Sequence, residues 1–164
     1  MSGAVGVASD AGTRVLALSG ELRHDNAAAL EELIERWFES DSIEINEVII
    51  DLNALQFMDS TVIGMLAAIA RGLNQHGLGK AVVFSTRAEI NQLLHSLRLD
   101  EVLTVVESDT AAATELVPTQ LHSERGQVSA DVILRAHERL MELSDSNRAA
   151  FQPVVELLRE ELGR

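Results

Sequence analysis

The sequence predicts a layered α/β domain with parallel neighbours in its sheet, followed by a helical hairpin. Short strand-like runs alternate with helix-like stretches from Val5 to Leu116. One of those runs, Val48-Ile49-Ile50, is continuously apolar, as expected of a strand covered on both faces. Beyond Pro118, two apolar stripes recur at helical spacing with a polar break between them.

Val5 and Val7 alternate with smaller residues, and Asp10-Ala11-Gly12-Thr13 supplies turn chemistry before Val15-Leu16-Ala17-Leu18, which predicts a hairpin of two strands. Ser19-Gly20-Glu21-Leu22 leaves the second strand. Asp25 or Asn26 is placed to cap a helix that carries Leu30, Ile34 and Trp37 on one face to about Glu39. Glu47 to Asn53 reads as the central strand and Ala54 to Met58 as a loop. The segment Ser60 to His76 reads as a helix with Ile63, Leu66, Ala67, Ala70 and Leu73 on one stripe and Gly77 as its stop. Strand Ala81 to Phe84, helix Ala88 to Leu97, strand Val102 to Val106 and helix Thr110 to Leu116 complete a domain over residues 1–117.

Residues 118–127, from Pro118 through a polar stretch, read as a linker. In residues 128–164, Val128, Val132, Ala136, Leu140 and Leu143 mark one amphipathic helix, and Phe151, Val154, Val155, Leu158 and Leu162 a second. Pro153 lacks a backbone donor and is expected to begin a helix or kink one. Two uses of this hairpin stand open: covering a face or edge of the first domain, or forming a homodimer interface or docking arm.

Acidic residues number 26 against 13 Lys plus Arg, a formal net charge of −13 that repels phosphate backbones and anionic lipid over most of the surface. The chain has no Tyr, one Trp and four Phe, which leaves no aromatic platform for stacking bases. A protein or small-molecule partner is expected, with no nucleic acid. Absence of cysteine excludes disulfides and thiol chemistry and fits a reducing compartment. No basic start followed by an apolar run opens the chain. The longest apolar stretch, Val62 to Ala70, falls short of the roughly 20 residues that span a bilayer. The expectation is a cytoplasmic protein without membrane insertion.

Chemistry concentrates in the turn Met58-Asp59-Ser60-Thr61, between a buried strand with its loop and the helix that follows. One reading of its polar residues is capping, in which Asp59 or Ser60 accepts a bond from an unpaired helix N–H. The other is phosphorylation, since a phosphate at a helix N-terminus meets the positive end of the dipole and free N–H groups.

Val48-Ile49-Ile50-Asp51-Leu52-Asn53 followed by Phe57-Met58-Asp59-Ser60-Thr61-Val62-Ile63-Gly64 resembles the STAS domain of anti-sigma factor antagonists, and Ser19-Gly20-Glu21-Leu22 is similar to that family's early strand-exit motif. The resemblance runs from about Val5 to Leu116 and implies a STAS-like mixed β-sheet with alternating helices, the C-terminal hairpin being additional. It further implies a non-catalytic bacterial partner switch in transcription regulation. The unphosphorylated domain binds an ATP-using anti-sigma factor that is also a serine kinase, the kinase phosphorylates it, and a phosphatase resets it. Ser60 then matches the phosphoacceptor, Thr61 the second hydroxyl residue and Asp59 the acid before them. Gly20, Glu21, Arg23, His24, Asp25, Asp59, Ser60, Thr61 and Val62 make up the implied partner-binding surface. Val62 stands where the family usually has Gly, and Arg23 where an acidic residue commonly follows the strand-exit motif. These differences and the extra hairpin motivate a second reading, a phosphorylation-independent STAS binding module in a scaffold or transport complex.

The five histidines, His24, His76, His95, His122 and His137, are scattered and form no short cluster with metal-ligand spacing. Ser60 as a hydrolytic nucleophile would need a nearby base and an oxyanion site, and the sequence shows no nucleophile-elbow pattern, so hydrolase chemistry is not expected. Gly72, Gly77 and Gly79 form no phosphate-cradling loop, and no cofactor is expected. Arg135, Glu138, Arg139 and Glu142 read as a solvated helix face.

Overall fold

The computed structural model describes residues 2–40, 42–109, 116–123 and 128–164. Strands β1 (Ala4–Asp10) and β2 (Thr13–Leu22) form the expected hairpin, with Val5 opposite Leu18 and Val7 opposite Leu16. Helix α1 (Ala28–Phe38) leads to β3 (Glu47–Met58), which runs parallel to β2. Helix α2 (Ser60–Gln75), β4 (Val82–Phe84), α3 (Ala88–Ser96) and β5 (Thr104–Val106) follow, and β4 and β5 are again parallel to their neighbours. A short strand β6 (Thr119–Gln120) precedes α4 (Ala130–Met141) and α5 (Asp145–Glu161). The mixed sheet has the order β5-β4-β3-β2-β1-β6, so β2 and β3 are interior strands with fully buried Leu16, Ile50 and Leu52.

Several elements differ from the sequence expectation. The stretch Ala54 to Met58 is strand rather than loop, because Gly20 pairs with Leu55 after one register shift and Glu21 with Phe57 and Leu22 with Met58 after a second, each shift adding a residue on the β3 side. Neither Asp25 nor Asn26 caps α1. Ala27 holds the cap position without a side-chain bond, and the Asn26 amide instead accepts from the Arg23 N–H at 2.7 Å and donates to the Glu21 carbonyl at 2.8 Å. Residues 118–127, expected as a linker, contribute β6, which pairs antiparallel with the outer edge of β1. Pro153 lies inside α5. The helix expected at Thr110 to Leu116 falls almost wholly on residues 110–115, outside the described residues.

Helix α2 departs most from its expected form. One apolar stripe predicts a helix with a solvated back, yet from Thr61 to Leu73 every residue except Ala68 and Arg71 is buried. A helix apolar on every side must be enclosed on every side, and α4 supplies the missing wall. It packs along α2, with α5 packed in turn on α4. Leu134, Ala136, His137 and Leu140 are buried there, whereas among the described residues of α5 only Asn147 and Val155 are. Both helices are N-capped by serine, Ser129 accepting from the Val132 N–H and Ser144 from the Asn147 N–H. The hairpin therefore covers a face of the first domain.

Candidate functional site

Because β2 and β3 are parallel, their C-terminal ends open on the same edge of the sheet, and the segments leaving them meet. The Asp59 N–H donates to the Leu22 carbonyl at 3.2 Å. Asp59 is the extended N-cap of α2, and both its carboxylate oxygens are engaged. Oδ1 accepts from the Val62 N–H at 3.0 Å, while Oδ2 accepts from the His24 N–H at 2.8 Å and lies 3.1 Å from His24 Nδ1. One side chain thus starts the helix and ties the β2 exit to it, joining residues 35 apart in sequence.

Around this junction the residues of the implied partner surface separate into two groups. Arg23 is 3.2 Å from the Glu21 carboxylate, and its guanidinium lies 4.4 Å above the ring of Phe57, itself 40% exposed. His24 and Asp25 are exposed beside them. Sequence reasoning missed Phe57 as part of this surface, although it stands in the quoted motif at the strand end. Gly20 has a backbone role, with φ of +67° beside a register shift in the β2–β3 ladder. Thr61 and Val62, expected at the partner surface, are buried, at 3% and 0% exposure. The 100° turn per residue of a helix starting at Ser60 carries both into the core.

Ser60 is partly buried, and its Oγ lies 2.8 Å from Nε2 of His137. His137 belongs to α4, 77 residues away, is 5% exposed, and packs edge-on to Phe151 of α5 with ring centroids 5.4 Å apart. Its Nδ1 is 2.7 Å from the Ile133 carbonyl. A carbonyl only accepts, so Nδ1 carries a hydrogen, and in the neutral imidazole Nε2 is left to accept the Ser60 hydroxyl. Sequence spacing counted His137 among scattered histidines. The available signal was its place on the apolar face of α4, since a polar group buried there needs a partner.

The pair meets the first geometric requirement of an activated serine nucleophile, which the sequence did not suggest. The rest of such a site does not follow. The far nitrogen of the imidazole faces a backbone carbonyl rather than a carboxylate, and the ring is enclosed between two helices. Clefts of about 410, 340 and 180 Å³ are each lined by other residues. The arrangement is that of a hydroxyl held under a covering helix.

The family model described as the STAS domain matches residues 5–113. This chain belongs to the STAS domain family. A curated relative of this STAS protein, the anti-sigma F factor antagonist of Paenibacillus polymyxa, is 28% identical over 64% of the chain and 87% of its own length. Among solved structures, an anti-sigma factor antagonist from Mycobacterium paratuberculosis is 27% identical with a TM-score of 0.53, over 65% of this chain and 87% of that one. The anti-sigma factor antagonist SpoIIAA in its unphosphorylated form aligns with a TM-score of 0.54 over 66% of this chain and 93% of its own. At 17% identity that likeness establishes the shared fold. The α4–α5 hairpin of this STAS protein lies beyond the residues that the family matches. Among the described residues, no helix is long and apolar enough to cross a membrane.

Proposed function

We propose that this protein is a non-catalytic anti-sigma factor antagonist, a partner switch whose state is set by phosphorylation of Ser60. The observation that carries the reading is the place of Ser60 as the first residue of α2, after the capping Asp59, in a STAS domain whose relatives include named anti-sigma factor antagonists. The partner is an anti-sigma factor that is also a serine kinase. In the transfer, Ser60 Oγ bonds to the γ-phosphorus of ATP held by the kinase. The bond to the β–γ bridging oxygen breaks, ADP leaves, and the hydroxyl proton passes to a base of the kinase. A phosphatase resets the switch by adding water to phosphorus, returning the hydroxyl and releasing inorganic phosphate. The added charge of roughly −1.5 to −2 is favoured by the helix N-terminus and opposed by the neighbouring Asp59, so a fold that tolerates it still presents an altered docking surface at Arg23, His24 and Phe57.

Intact-mass measurement of protein from its native host, before and after phosphatase, tests this. A form heavier by one phosphate, lost on treatment and absent from Ser60→Ala, is the expected result. No such form in any growth phase, with equal partner capture by Ser60→Ala and Ser60→Asp, would overturn it. That outcome would leave the second reading, a phosphorylation-independent binding module in a scaffold or transport complex. The engagement of the Ser60 hydroxyl by His137 favours this second reading.

A further inference from the structure

The sequence suggests an open regulatory turn, yet the hydroxyl at its centre is held by a residue of the C-terminal hairpin. We propose that the α4–α5 hairpin is an autoinhibitory cover, latched by His137, that withholds Ser60 and the start of α2 from a docking partner until it lifts. This rests on the reading of that helix end as the regulated surface.

Four contacts fix the cover along the length of α2. Before α4, the Val128 N–H donates to the His24 carbonyl at 2.9 Å, beside the exposed patch. At Ser60 the imidazole of His137 takes the hydroxyl. One turn further, α4 crosses directly over Gly64, where an added Cβ would lie 2.4 Å from the Ala136 carbonyl oxygen, a distance no side chain tolerates. At the far end the buried Asn147 amide donates to the Leu97 carbonyl at 2.8 Å and the Leu140 carbonyl at 2.9 Å, pinning both hairpin helices to the end of α3.

Phosphoryl transfer needs the attacking oxygen and phosphorus at about 3–3.5 Å with a clear line of approach. In the closed form one side of Oγ is filled by the ring of His137, backed by Phe151. The Nδ1 bond to the Ile133 carbonyl holds the ring in that position. A phosphate on Oγ competes with the His137 ring for space on that side, so phosphorylation disfavours closure and closure disfavours phosphorylation, each shifting the other's equilibrium by the same factor. A kinase meeting a closed population sees its apparent affinity reduced by the open fraction.

The chain has no cysteine, so single-cysteine variants of the full chain report opening directly through their rate of reaction with a water-soluble aromatic disulfide at about pH 9, where exposed thiols are largely ionised. The reporters are Ser60→Cys, the exposed Asp25→Cys, and Ala81→Cys in the sheet core, where Ala81 is 0% exposed. Ser60→Cys is expected to react on the order of tenfold more slowly than Asp25→Cys. Adding Asn147→Ala, which removes two buried bonds, or, independently, Gly64→Ala, which sets a methyl group against the Ala136 carbonyl, is expected to accelerate Ser60→Cys by on the order of tenfold, while Ala81→Cys stays protected. Equal rates for Ser60→Cys and Asp25→Cys in the intact chain would overturn the cover. So would no acceleration in either release variant, or equal acceleration of Ala81→Cys. The thiol readout needs no kinase. A protected Ser60→Cys, in a chain whose native serine is never phosphorylated, would remove the phosphorylation reading and leave the cover standing. An unprotected one in a phosphorylated chain would do the reverse.

Discussion

Gly20 carries two constraints at once. Its φ of +67° lies in the left-handed region, and a Cβ there would sit 2.4 Å from the Ser2 carbonyl oxygen, where Ser2 bridges to Glu21 beside the start of β1. In the register shift that follows it, Gln56 of β3 is the extra residue, which sets Glu21 opposite Phe57, and Arg23 lies over the Phe57 ring two residues on. Gly20→Ala is expected to destabilise the domain by about 1–3 kcal/mol through strain alone. Urea unfolding should show a lower midpoint with little change in slope, and partner capture should fall with it. The sequence marked Gly20 through its strand-exit motif but gave no reason for the glycine, because the Ser2 carbonyl arrives from the segment before β1. Thr61 and Val62 were misplaced for a simpler cause. A motif read as a string puts neighbouring residues on one surface, while a helix turns them inward within a single residue of Ser60.

At the scale of elements, most of the fold was legible in order and kind, because each segment is long or strongly patterned: the hairpin at Gly12, the central run Val48 to Ile50, the capped start and glycine stop of α2. What escaped was set by pairing across distance. β3 runs on to Met58 only because β2 lies beside it, and β6 exists only because β1 has an edge to fill. The face of α2 that looked solvated was misjudged because its cover, α4, comes some 70 residues later, and charges on α4 that read as a solvated face reach across to the first domain. Arg71 makes two bonds to Glu142 at 3.0 and 3.2 Å, and Glu142 also lies 3.8 Å from Arg139. Burial, with Arg71 close by, holds the Arg139 guanidinium below the usual arginine range, and Glu142 offsets that repulsion. Glu142→Gln should therefore weaken the seating of the hairpin by no more than about 1 kcal/mol, as the pair is largely exposed. Hydrogen exchange of the α4 amides should speed up by a factor of a few, and added salt should narrow the gap between variant and parent.

For the whole molecule, burial is unevenly distributed. β2, β3 and α2 hold most of the fully buried large side chains, whereas α5 leaves Val154 at 40% and Leu157 at 58% exposure and is joined to the rest mainly through α4. Local openings should follow that gradient. Native-state hydrogen exchange is expected to show α5 and α4 opening together well below the global unfolding free energy, and β2 and β3 exchanging only with it. A single cooperative unit, with hairpin and sheet amides exchanging at one free energy, would contradict that picture. The close crossing at Gly64 has a consequence for descent and engineering alike. The tail and the helix beneath it fit as a matched pair, because the distance between them is fixed by a missing methyl group. Transplanted onto a STAS domain with any side chain at that position, the tail would have to seat elsewhere or hang free. A change at residue 64 would therefore act on a surface more than 60 residues further along the chain.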